Sequence, residues 1–99
     1  MIDDIVSYSI IGFESMDRNA TYHEEFDTEI DTAIEFIKLM KSKKYESIVI
    51  RKEERDPVYG ENLSSSTPIF RWPIPIEMGY CPELIKQYHA KRNQEVAYG

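Results

Sequence analysis

The chain is poor in the residue types that usually announce an activity. It has one cysteine, Cys81, and two histidines, His23 and His89, among 99 residues. A single thiol can neither staple a fold nor supply a thiolate cluster, so a reducing, cytoplasmic setting is expected. No apolar run approaches the roughly 18 residues needed to cross a bilayer. The opening Met1-Ile2-Asp3-Asp4 lacks the basic segment and apolar core of a secretory signal. The expectation is therefore an intracellular chain with no membrane partner. GxSxG, HExxH, P-loop, GxGxxG and CxxC patterns are all missing, which removes the commonest hydrolase, nucleotide and metal signatures.

What remains is an ordinary globular composition. Apolar residues make up 41% and charged residues 30%, and eleven Phe and Tyr side chains plus Trp72 offer ample surface to bury. The length fits one domain, residues 1–99, with a thin core. The formal charge of −6 is uneven. Residues 1–37 carry ten acidic side chains against Arg18 alone, a net of −9, whereas 38–99 carry eleven basic against eight acidic, a net of +3. A negative field of that kind disfavours binding to nucleic-acid backbones. Two parts of opposite sign also suit self-association.

Periodicity gives the element order. Residues 3–13 alternate, with Val6, Tyr8 and Ile10 on one face and Ser7 and Ser9 on the other, and 21–26 repeats the alternation after a turn at 16–20. A helix is predicted over 28–43. Ile30, Ala33, Ile34, Ile37 and Met40 form its apolar stripe, Phe36 and Leu39 its margins, and its charges run from acidic to basic along the dipole. A strand at 46–54 is expected to lead into a long loop through Asp56-Pro57-Val58-Tyr59-Gly60 and the serines 64–66, then a short strand at 69–72. Pro73 and Pro75 forbid a central strand beyond it. A last helix over 82–95 shows a short stripe of Leu84, Ile85 and Tyr88, with Val96 beyond, an outer face of Lys86, Gln87, Lys91, Arg92 and Asn93, and His89 as a surface residue. The fold class expected is α+β: an antiparallel sheet of about four strands with two helices on one face, in the order β-β-α-β-β-α.

The candidate chemistry is sparse. His23 and Glu25 share a strand face, but two side chains fall short of a closed metal site, and a solvated face explains them. Cys81 precedes a helix start, where a thiolate is favoured, yet no base is indicated beside it. Adjacent carboxylates such as Glu24-Glu25 and Glu53-Glu54 point to opposite strand faces, which makes them poor acid–base partners. Neither a cofactor nor a catalytic role is expected. The richest constellation is Arg51, Arg55, Tyr59, Arg71 and Trp72, since arginine beside aromatic rings is typical of interface hot spots. A strand with Phe70 and Trp72 inward and Arg71 outward accounts for three residues of this region without any ligand. The expectation is a non-enzymatic interaction protein acting through protein–protein contacts, at a sheet edge or near Tyr59 and Trp72, and a homodimer. An inhibitor or accessory factor of a phage or mobile element is one example of that class. The alternative is a binder of a small anionic ligand or nucleotide held by Arg51, Arg55 and Arg71 and stacked on Tyr59 or Trp72.

Overall fold

A computed structural model describes residues 5–98 apart from 57, 59 and 80, with side chains at all of these except 60–63 and 95–98. The elements are β1 (Ile5–Phe13), β2 (Tyr22–Phe26), α1 (Glu29–Ser42), β3 (Ser47–Asp56), β4 (Gly60–Trp72), a single 3-10 turn (Ile76–Met78) and α2 (Pro82–Tyr98). The strands form one antiparallel sheet in the order β2-β1-β3-β4, so β2 and β4 are its edges. This is the α+β arrangement expected from the periodicities.

Cross-strand register assigns the two faces. Ile10 pairs with Ile50, Gly12 with Ile48, and Ile48 and Ile50 in turn with Trp72 and Phe70. These residues line the helix-covered face, where Ile10, Ile48, Ile50, Phe36, Leu39 and Tyr45 form the core. The opposite face carries a polar ladder beside the apolar pair Ile11 and Val49, and Ser9 and Ser47 on it are themselves buried. Ser9 Oγ and Ser66 Oγ both donate to Glu53 Oε1, at 3.0 and 2.9 Å, and Ser7 Oγ donates to Glu25 Oε1 at 2.9 Å.

α1 is capped at both ends. Thr28 Oγ1 accepts from Asp31 N at 3.2 Å and donates to Asp31 Oδ2 at 2.9 Å, while Lys43 closes the C-terminus in the left-handed region at φ 59°. Its orientation differs from the expected one. Thr32, Phe36 and Leu39 are the buried positions. Ile30, Ile34 and Ile37, taken from the sequence as the core stripe, are 72%, 49% and 44% exposed. Two polar ties explain the rotation. Tyr8 Oη donates to Glu29 Oε1 at 2.9 Å and Tyr22 Oη to Glu35 Oε1 at 3.3 Å. Glu29 and Glu35 flank the Phe36 side, so holding both against the sheet turns the isoleucines outward.

The long loop expected after β3 is instead a strand. Asp56 and Gly60 close the β3–β4 reversal, with Val58 N donating to Asp56 Oδ1 at 2.8 Å, and β4 runs to Trp72. The serines pair in register, Ser65 with Glu54 and Ser66 with Glu53, and Arg51 donates to Ser66 Oγ and O at 2.8 and 3.1 Å. Such cross-strand contacts outweigh the weak strand propensity of the tract. β1, β3 and β4 therefore project beyond α1, and the molecule measures 57 × 24 × 22 Å. Its radius of gyration of 15.9 Å exceeds the roughly 13 Å typical of a compact chain of this length.

α2 meets the other end of the same face. Ile85 is fully buried, and Trp72 receives the edges of Tyr88 and His89 at centroid distances of 5.9 and 5.7 Å. His89 is therefore half-buried rather than the surface residue expected: its Nε2 lies 2.9 Å from the Glu46 carbonyl oxygen. The Val96 side chain lies outside the described residues.

Candidate functional site

Strand alternation separates the residues that the sequence grouped together. Arg51, Arg55 and Arg71 belong to the polar face, whereas Trp72 belongs to the helix-covered face. Tyr59 lies outside the described residues. Each arginine already has neighbours. Arg51 is bonded to Ser66, and Arg55 Nη2 stands 3.9 Å from Glu25 Oε1. Arg71 gathers the connector to α2: Nε donates to Ile74 O at 2.6 Å, and Nη2 to Pro75 O at 2.8 Å and to Gly79 O. The cation facing the Trp72 ring is Arg92 of α2, at 5.5 Å, a residue that the sequence reading placed on the helix's outer face. Helical spacing from Ile85 through Tyr88 and His89 to Arg92 was the signal that could have found it.

The open apolar ground lies between α1 and edge strand β4. Tyr8, Glu29, Thr32, Ile50, Ile69 and Phe70 line a groove of about 330 Å³. Ile50 forms its floor, and Phe36 meets Phe70 edge-on at 5.2 Å. Ile69 and Phe70 are nevertheless 48% and 52% exposed. A register shift in β4 beside Ile50 and Arg51 brings these two consecutive residues to the same groove. Glu29 supplies its one carboxylate. That carboxylate accepts the Tyr8 hydroxyl and holds the tyrosine above its ordinary pKa, with desolvation adding to the effect.

A second concavity, of about 340 Å³, lies where α1 ends against α2. Lys43, Lys44 and Arg92 bring positive charge to it, and Glu14 and Glu46 offset part of that charge. Lys44 Nζ is 4.0 Å from Glu14 Oε1, and Glu46 Oε2 accepts from Met16 N at 3.0 Å.

Comparison with protein-family models, with curated proteins and with solved structures finds no match. Among the described residues no three or more His, Cys, Asp or Glu side chains converge as a metal site would require. His23 is exposed on β2, opposite Ile11, and Cys81 is half-buried just ahead of α2. Among the described residues no helix is long and apolar enough to cross a membrane.

Proposed function

We propose that the chain is a non-enzymatic interaction protein that takes an apolar segment of another protein into the groove between α1 and β4. The observation that carries this reading is the exposure of Phe70 and Ile69 above a floor already continuous with the core. Ile69 and Phe70 are already about half covered, so burying the remainder of each favours association by about 1 kcal/mol. The groove also lies along an edge strand, where an extended partner segment finds backbone partners as well as side-chain pockets. The surface thus lies at the sheet edge, displaced from Trp72, whose ring is engaged by α2. The single cysteine supports a reducing, cytoplasmic setting for this binding.

Affinity capture from host cells with the wild type and with Ile69→Lys tests the proposal. Ile69 is half exposed, so the added ammonium should leave the fold intact while replacing an apolar contact of the interface with a charge that an apolar partner segment would have to desolvate. Proteins recovered by the wild type and lost from the variant are the expected result. Equal recovery by both would refute this use of the groove.

A further inference from the structure

The outward stripe of α1 is a different surface from the groove, and its charge pattern selects its own occupant. Ile30, Ala33, Ile34 and Ile37 follow i, i+3, i+4, i+7 spacing, and all four are exposed. At about 100° per residue, the stripe lies roughly a third of a turn from Phe36, away from the side where Glu35 meets Tyr22. Ala33, with only a methyl group, permits close approach of a second helix backbone. We propose that this stripe packs against the same stripe of a second copy of the chain, with the two α1 helices antiparallel about a two-fold axis at Ile34.

Charge determines both the partner and the direction. The N-terminal half of α1 carries Glu29, Asp31 and Glu35, and the C-terminal half carries Lys38 and Lys41. Parallel packing would align like charges along the whole length. Antiparallel packing sets Asp31 within one residue, about 1.5 Å of rise, of the partner's Lys38. A two-fold axis perpendicular to both helices keeps each charged shoulder on the same side of the dimer, so every such pair occurs twice. Asp31 and Lys38 are seven residues apart, about 10 Å along one helix, so these two do not pair with each other within the chain. Ile34 meets the partner's Ile34 on the axis, and Ile30 meets the partner's Ile37.

Sedimentation equilibrium from micromolar to millimolar concentration tests the dimer, with circular dichroism monitoring the fold of each variant. The wild type is expected to reach twice the chain mass of 11.7 kDa. Ile34→Glu, which sets two carboxylates against each other on the axis, is expected to stay at 11.7 kDa while remaining folded. Asp31→Lys and Lys38→Asp should each weaken association by about tenfold, since each turns two attractions into repulsions, and their combination should restore it. A wild type at monomer mass throughout would overturn the dimer, as would a dimer that persists in Ile34→Glu or a combined variant no tighter than the single ones. None of these readings involves capture of another protein, so the groove proposal stands or falls separately.

Discussion

Replacing Gly12 with alanine should cost stability through one contact. An added Cβ would lie 2.9 Å from both Cδ1 and Cε1 of Tyr45 and 3.2 Å from Tyr22 Cβ, where ordinary contact begins at 3.4 Å. Something must therefore yield by about half an ångström. Tyr45 has little room to retreat: it is buried in the core, edge-on to Tyr22 at 6.0 Å. Overpacking of this kind costs about 1–3 kcal/mol. Removing a glycine from the unfolded chain returns about 0.4–1 kcal/mol. The net expectation is a loss of about 1–2 kcal/mol, or a fall in Tm of roughly 5–15 °C for a domain of this size. Urea denaturation followed by circular dichroism measures it, with the midpoint lowered and the slope unchanged. The decisive control is the double-mutant cycle with Tyr45→Leu, which removes the ring that the methyl group strikes. The penalty should shrink by about 1 kcal/mol or more in that background. A Gly12→Ala protein as stable as the wild type, or an undiminished penalty beside Leu, would refute the close-approach argument.

The rotation of α1 and the setting of Tyr22 carry further expectations. At concentrations too low for association, Phe36→Ala should cost about 3–5 kcal/mol. Ile30→Ser, at an exposed position, should change stability by no more than about 0.5 kcal/mol, and chemical denaturation giving the reverse order would show that the helix faces the other way. Burial, with the Glu35 carboxylate adding to it, pushes Tyr22 from 10.0 up to about 12. The stabilisation linked to this group is fully present below pH 10.0 and is lost as pH rises through about 12. Ultraviolet difference absorbance should show Tyr22 ionising late, alongside the raised Tyr8, and Glu35→Gln should bring Tyr22 only part of the way back, because desolvation remains.

The order of strands and helices was legible because each element writes its own period: Val6, Tyr8 and Ile10 every second residue, and the isoleucines of α1 every third or fourth. The rotation of α1 was not legible. Its apolar residues cover an arc wider than one sheet contact uses, and the hydroxyls that choose between its parts, Tyr8 and Tyr22, belong to other strands. β4 was cut short for a similar reason. Ser64, Ser65 and Ser66 resemble a loop until Glu53, Glu54 and Arg51 stand opposite them. The opposed directions of Arg71 and Trp72 were written in the alternation itself. The consecutive exposure of Ile69 and Phe70 depends on a register shift that the sequence does not mark.

Arg71 carries one more consequence. Three serines and a threonine say little about how far β4 should slide along β3, since nearly identical neighbours make nearly identical pairs. A slip of one residue would carry the guanidinium to the helix side and strip three carbonyls of their donor, while lifting the indole away from His89. Alignment of the whole edge is thus decided at its last turn, and the featureless stretch inherits its place from there.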